Sequence, residues 1–347
     1  MRNPSLFEID RPDTEAPDET DGIPLLADNE PDSVERMRAE NLRWRGQAWP
    51  SPYHKTIHRL HLGDARNMSW LEDESVHLVV TSPPYWSLKK YNDHPDQMGH
   101  IENYERFLVE LDRVWEACAR VLAPGGRICC VVGDVCIPRR KNKGRHWVAP
   151  LHSDIQVRVR KFGLDTLTPI IWHKIANGAM ESSGAGGSYY GKPYQPNGVI
   201  KNDVEYILFL RKGGEYRKPQ HIQKILSILT KEEQRTWFQQ IWTDIRGAST
   251  KMGHPAPFPV ELASRLVRMF SFAGDTVLDP FMGTGSTCVA ALREGRNSIG
   301  NEIDPEYFAL AARTIEAEAD VVRNFGLQQA KISILNASSG KQSLPFR

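Results

Sequence analysis

The sequence predicts an α/β protein built on an open, doubly wound sheet, and three observations carry that prediction. The apolar run His77-Leu78-Val79-Val80 ends abruptly at Thr81-Ser82-Pro83-Pro84-Tyr85-Trp86. A short β-branched run stopped by two prolines is a buried strand ending in a rigid turn, because proline fixes φ and has no N–H for a ladder. Next, Phe107, Leu108, Leu111, Val114, Trp115, Cys118, Val121 and Leu122 recur at helical spacing before the strand Arg127 to Gly133. Helix followed by strand, repeated, implies parallel strands with crossovers. Finally, Val277-Leu278-Asp279-Pro280-Phe281-Met282-Gly283-Thr284-Gly285-Ser286-Thr287 is a strand, a glycine turn and a helix start.

Taken in order, residues 1 to about 45 are acidic and Pro-rich, without sustained periodicity, and are expected to be mostly disordered with a short helix near Val34 to Trp44. Ile57-His58-Arg59-Leu60-His61-Leu62 alternates as a half-buried strand and ends at Gly63-Asp64. A short helix is expected near Asn67 to Leu71, then the strand to Ser82, then the long helix closed by Pro124-Gly125-Gly126. A helix from about Val148 to Phe162 and a strand from Leu167 to His173 follow. Residues 176 to 200, full of Gly, Ser, Tyr and Pro, form a long irregular insertion. Val204 to Leu210 is again a strand. Residues 213 to 253 break the alternation, with a helix expected around Lys231 to Ile241; Trp237 and Trp242 there fit a small core better than base-stacking plates. The scaffold resumes with a helix containing Leu262, Leu266, Met269 and Phe270. A strand Thr276 to Asp279, a helix to about Arg293, a strand Ser298 to Ile303 and a helix from Pro305 to about Ala319 complete it. The segment after about residue 335 is expected to fray.

Composition excludes several classes. Forty per cent hydrophobic and a quarter charged residues is ordinary for a soluble globular chain. No apolar run of spanning length and no N-terminal h-region is present, so neither a membrane helix nor a secretory signal is supported. The cysteines Cys118, Cys129, Cys130, Cys136 and Cys288 make no C-x-x-C pair, which fits a reducing cytoplasm. The net charge of +1 hides an asymmetry: residues 1 to 40 hold 12 Asp/Glu against 4 Arg, so an acidic arm precedes a basic body. That body suits a polyanionic partner.

The turn after residue 81 has chemical content. Ser82 offers a hydroxyl, the Pro83 carbonyl an outward-facing acceptor, and Tyr85 and Trp86 flat faces. Two acceptors beside an aromatic plate suit a planar ring with an exocyclic amine; a Pro-Pro turn with an aromatic staple is the plain structural alternative. The glycines of the second motif allow close backbone approach to a ligand and leave helix N-terminal N–H groups free. It is not a Walker A loop, since no Lys follows the glycines, and Cys288 stands where G-x-G-x-x-G requires its third glycine. About twenty residues on, Ile299-Gly300-Asn301-Glu302 ends a strand with a carboxylate, as in sheets that bond ribose hydroxyls. With Asp64, these strand ends suit an adenosine-bearing cofactor.

The two motifs in this order resemble the S-adenosylmethionine-dependent DNA amino-methyltransferases of the permuted beta group, over roughly residues 56 to 318. The resemblance implies a Rossmann-like methyltransferase sheet, circularly permuted so that the catalytic half precedes the cofactor half. It assigns Ser82, Pro83, Pro84 and Tyr85 to the catalytic turn. It places Asp279, Phe281, Gly283 and Gly285, with Ser286 and Thr287, at the methionine part of S-adenosyl-L-methionine, Glu302 at the ribose and Asp64 near the adenine. Pro257 and Phe258, within His254 to Pro259, match the family's helix-leading motif beside the methionine moiety. No metal is expected. Ser82 looks like the N4-cytosine enzymes, whereas Asp or Asn there is usual for N6-adenine. Tyr85 would stack on a base flipped from the duplex.

The implied organisation is an N-terminal arm (1–45), a catalytic half (46–212), a target-recognition insertion (213–253), a cofactor half (254–320) and a C-terminal tail (321–347). Arg139, Arg140, Lys141, Lys143 and Arg145 put five positive charges in seven residues, expected in a loop at the catalytic edge of the sheet; with Arg211, Lys212, Arg217, Lys218 and Arg246 they are candidates for DNA contacts, a solvated basic face being the plain alternative. Double-stranded DNA, to be methylated at cytosine N4, is the expected partner, with an N6-adenine enzyme, an RNA methyltransferase and a non-catalytic DNA-binding module as the alternative readings. A cognate restriction endonuclease, and the choice between monomer and homodimer, stay open.

Overall fold

The computed structural model describes residues 31–45, 47–86, 92, 94–137, 139–174, 194, 196, 200, 202–247, 258–326 and 329–336. Strands β1 (Lys55–Leu62), β2 (Val76–Thr81) and β3 (Leu122–Val132) belong to the main sheet. The hairpin β4 (Val135–Ile137) and β5 (Trp147–Ala149) stands apart from it. Strands β6 (Leu164–Trp172), β7 (Glu205–Lys212), β8 (Ile241–Trp242), β9 (Thr276–Asp279), β10 (Asn297–Glu302) and β11 (Gln329–Asn336) complete the nine-stranded mixed sheet, in the order β11-β1-β10-β9-β2-β3-β7-β6-β8.

From β11 to β3 every neighbouring pair is parallel. Strand β7 then runs antiparallel to both β3 and β6, and β8 pairs parallel with β6. Expecting parallel strands throughout is therefore correct for one half of the sheet only. β2 sits at the centre and is buried on both faces, which explains its near-continuous apolar run. Val79 faces the core on one side while Leu78 and Val80 face the other.

The helices are α1 (Pro31–Trp44), α2 (Tyr104–Val121), α3 (Leu151–Val159), α4 (His221–Ser227), α5 (Lys231–Trp237), α6 (Val260–Phe270), α7 (Ser286–Arg293) and α8 (Pro305–Asn324). α2 starts where the Asn103 side chain accepts from the Arg106 N–H, and it buries Leu111 and Trp115 against Val79 and Ile128. Truncating a ring as buried as Trp115 costs roughly 3–5 kcal/mol. α6 and α7 cover the opposite face through Leu262, Leu266 and Ala290. α8 is capped by Asp304, which accepts from the N–H groups of Glu306 and Tyr307, with Pro305 at its first turn. Among the described residues no helix is long and apolar enough to cross a membrane.

Several expectations shift. The helix expected at Asn67 to Leu71 is a pair of turns, because the Arg120 guanidinium takes the carbonyls of Met68 and Leu71. β3 begins at Leu122 rather than Arg127: Val76 pairs with Leu122 and Leu78 with Arg127, so Pro124-Gly125-Gly126 bulges from the ladder instead of preceding it. α3 begins after Pro150, since Val148 is committed to the hairpin opposite Cys136. The helix expected to reach Ile241 ends at Trp237, because Ile241 and Trp242 pair with β6. Trp242 is buried and donates its indole N–H to the Trp237 carbonyl, the small core anticipated.

β11 was not anticipated as part of the sheet. The segment 31–44 is a docked helix in which the side chain of Asn41 donates to the Ile225 carbonyl and Arg38 to that of Leu229. The remainder of the arm and the tail after residue 336 lie outside the described residues, as does most of the insertion at 176–200.

Candidate active site

The carboxyl ends of β1, β10, β9 and β2 come together because these strands are consecutive neighbours in the sheet and run parallel. They open into a solvent-facing cleft. Asp64, Ser82, Pro83, Pro84, Phe281, Gly283 and Glu302 line it, drawn from two stretches about two hundred residues apart in the chain. The remaining walls come from Ala65, Asp96, Gln97, Met98, Pro280, Asn301, Ile303 and Tyr307, which sequence reasoning missed. The segment 94–100 shows no periodicity, and its turn residues gave no sign that it would fold back over the strand ends.

On one side the cleft is acidic. Glu302 ends β10, where its Oε2 accepts from the Gly283 N–H at 2.8 Å and its Oε1 accepts from the N–H groups of Ile303 and Asp304 at 3.0 Å each. Burial outweighs these donors and pushes its carboxyl up to about 7. Asp279, fully buried at the end of β9, does not line the cleft and stands behind its wall. Its Oδ1 accepts from the Thr81 hydroxyl at 2.7 Å and from the Phe281 N–H at 3.1 Å, while its Oδ2 has no hydrogen-bond donor among the described residues. Burial again wins and lifts this group to about 6. Asp64 is held by Arg66, whose Nε donates to both carboxylate oxygens at 3.0 and 2.8 Å; Arg66 also reaches Glu110 at 2.7 Å. Its acidic partners hold that guanidinium firmly charged.

The other cofactor candidates stand behind the cleft. Gly285, the N-cap of α7, has φ +91, a conformation that favours glycine, and a Cβ there would lie 3.2 Å from Ile315, a tight approach to α8. Thr287 is buried and donates its hydroxyl to the Val80 carbonyl at 3.1 Å, tying α7 to β2. Ser286, at the first turn of α7, is half-buried and does not line the cleft. Phe258 is buried in the core cluster with Leu262, and Pro257 lies outside the described residues.

On the other side is the Pro-Pro turn. Ser82 is half-buried, and its hydroxyl donates to the Tyr85 hydroxyl at 3.2 Å. Tyr85 is 5% exposed, and its hydroxyl lies 3.2 Å from Oε2 of Glu205. The Glu205 Oε1 in turn accepts from Lys174 at 2.7 Å. The Tyr85 ring is thus enclosed in this structure rather than presented as a free plate. Trp86 is an anchor: it is 9% exposed, and its indole N–H donates to the Ile101 carbonyl at 2.8 Å.

Charge divides between the two edges of the sheet. Arg139, Arg140, Lys143 and Arg145 are exposed in the β4–β5 connection, directly after the carboxyl end of β3, and Lys141 lies in the same turn. Trp147 on β5 is 42% exposed beside them. Arg246 follows β8, which runs in the direction of β3, so it is exposed at the same edge. Arg211, Lys212 and Arg217 do not join them. They stand at the amino edge, paired with Asp165, Glu74 and Asp275, because β7 runs antiparallel and carries the chain away from the cleft. Lys218 follows Arg217 on that side.

Comparison with known proteins agrees with this architecture. Residues 76–313 match the N6/N4 family model described as DNA methylase. The chain is 40% identical over 278 residues to the type II methyltransferase M.MjaI of Methanocaldococcus jannaschii, covering 72% of this chain and 88% of that one. It is 36% identical over 278 residues to M.MthZI of Methanothermobacter thermautotrophicus, covering 73% and 75%. Among solved structures, TTHA0409 of Thermus thermophilus, assigned as a DNA modification methylase and complexed with S-adenosyl-L-methionine, shares 48% identity with a TM-score of 0.64, covering 82% of this chain and all of that one. The cytosine-N4-specific PvuII DNA methyltransferase, at 20% identity and a TM-score of 0.53 over 85% of this chain and 99% of its own, shares the fold. The chain belongs to the N6/N4 DNA methylase family.

Proposed function

We propose that this S-adenosylmethionine-dependent DNA methyltransferase acts on the exocyclic N4 amine of cytosine in double-stranded DNA, at a defined recognition sequence. One observation carries the reading: Ser82 and Pro83 line the same cleft as Gly283 and Glu302, so amine acceptors and a nucleotide-binding edge face one another. The relatives named as type II methyltransferases support placing it in a restriction-modification system. The order of the chain, with β2 before β9, supports the permuted arrangement.

The residues fit the cofactor. The Glu302 carboxyl, raised by burial, lines the cleft, and behind it Asp279 Oδ2 has no donor among the described residues; a ligand that brings hydroxyls and positive charge to this edge suits both. Glu302 would accept from the ribose hydroxyls, Asp64 would stand near the adenine, and the Phe281 to Gly283 turn would hold the methionine end. When bound, S-adenosyl-L-methionine supplies an electrophilic sulfonium methyl. The chain's own work is to aim the amine. That nitrogen is a weak nucleophile because its lone pair is delocalised into the base. Ser82 Oγ and the Pro83 carbonyl, accepting its N–H bonds, localise the lone pair and hold it in line. The basic β4–β5 connection and Arg246 would hold DNA phosphates at the same edge.

Mass spectrometry of nucleosides from DNA incubated with the protein and S-adenosyl-L-methionine tests the reading. N4-methylcytosine is the expected product. N6-methyladenine would keep the site and its mechanism and replace the base, while methylation of RNA alone would replace the substrate class.

A further inference from the structure

We propose that Glu205 is a positioning residue that fixes the direction of a hydrogen-bond line ending on Ser82, and so makes the Ser82 oxygen an acceptor toward the substrate amine. The proposal deepens the amine-methylation reading above and rests on it. Sequence reasoning left Glu205 unassigned. The residue opens β7, and because β7 is antiparallel its first residue stands at the carboxyl edge, beside the catalytic turn.

The line has one consistent polarity. A carboxylate has only acceptors, so the Tyr85 hydroxyl, 3.2 Å from Oε2, directs its proton to Glu205; the Val131 carbonyl, at 3.4 Å, is the more distant acceptor on the same inward side. The Tyr85 oxygen is then an acceptor and receives the Ser82 proton at 3.2 Å. Ser82 Oγ, its proton directed inward, keeps its lone pairs for the cleft it lines. Reversal would point a hydroxyl proton at an amine whose N–H bonds need acceptors. Lys174 donates to the other carboxylate oxygen at 2.7 Å and anchors the far end of the line.

The surroundings are cut to hold this line. Glu205 is 8% exposed. A Cβ on Gly133 would come within 3.3 Å of Glu205 Cγ and 3.5 Å of the Tyr85 ring, and one on Gly247 within 3.1 Å of Lys174 Cγ. Side chains at either position would press on the line.

The test is a double-mutant cycle of Glu205→Gln and Tyr85→Phe, read in two ways. In single-turnover methylation of DNA, each variant is expected to lower the rate roughly 10- to 100-fold, with KM for DNA and cofactor affinity within about twofold of the parent. The double variant should be no slower than the worse single one, and Glu205→Asp should recover part of the rate. In urea unfolding, which needs no turnover, the two substitutions should likewise be non-additive. Overturning results are a Glu205→Gln rate within about twofold of the parent, or effects that multiply in the rate and add in unfolding. A parent protein that methylates no DNA, with the unfolding coupling intact, would reject the DNA reading and leave the line standing.

Discussion

The two halves of the sheet are built on different principles. From β1 through β10 and β9 to β2 the strands are parallel, and the candidate site residues sit at or just past the ends of their own strands: Asp64 after β1, Ser82 after β2, Asp279 at the end of β9 with Phe281 and Gly283 after it, Glu302 at the end of β10. From β3 outward, β7 reverses direction, and the residues that meet at the cleft edge come from opposite strand termini, Lys174 after the end of β6 and Glu205 at the start of β7. A parallel half places its ligand groups by local sequence. A mixed half places them by topology, so neighbours in space are strangers in sequence.

The largest effect should come from the parallel half. Asp279→Ala strands the Thr81 hydroxyl and the Phe281 N–H in the interior, at a cost of about 1–3 kcal/mol for each unpaired group. Cofactor affinity by calorimetry should fall about 100-fold or more, equivalent to roughly 3 kcal/mol. Unchanged affinity would remove Asp279 from the cofactor side. In the catalytic turn, Tyr85→Ala should slow methylation by about 100-fold while cofactor affinity stays within about twofold; equal loss of both would dissolve the division between the two sides of the cleft.

A smaller effect is pH dependence on the acidic side. The Glu302 carboxyl is raised to about 7, so the unliganded fold holds a proton that the unfolded chain has already lost near its ordinary value of 4.5. Its contribution to stability is full below about 4.5 and is lost as pH rises through about 7, a change of roughly 3 kcal/mol. Ligand hydroxyls donate to the ionised form, so cofactor binding should release a proton and weaken up to tenfold for each unit below about 7. Calorimetry in buffers of different ionisation enthalpy reads that proton, and Glu302→Gln should flatten the profile. An affinity constant from about pH 6 to 8 would take ribose contact away from Glu302.

The smallest effect separates the edges. Arg140→Ala should weaken DNA binding a few-fold and lower the log-log salt slope by about 1, whereas Arg211→Ala, paired with Asp165 at the amino edge, should leave both unchanged. Equal losses from both would mean that DNA wraps past the far edge as well.

Legibility in the sequence follows the same division. The apolar stripe of α2, the glycine turn into α7 and the strand ends at Ser82 and Glu302 are legible because each signal lies within one turn or one strand. Arg66, bound to the predicted Asp64 only two residues away, gives no signal, since an exposed-looking arginine after an aspartate is commonplace. The β4–β5 hairpin stays hidden because its strands are three residues each and its loop is so charged that composition dominates periodicity. β8, with two residues, is below the length at which alternation means anything.

The sequence by itself determined that a buried strand must stop at Ser82-Pro83-Pro84-Tyr85, that Gly283 and Gly285 must turn tightly into a helix, and that Glu302 must end a strand. Proline, glycine and β-branched residues impose these outcomes through their own dihedral limits. Only the tertiary structure decided that Tyr85 lies against Glu205, 120 positions later, and that Arg211 and Arg246 occupy opposite edges. Those outcomes depend on the direction in which β7 crosses the sheet. Direction is settled by the pairing of whole strands, a sum over long-range contacts that no local stretch encodes.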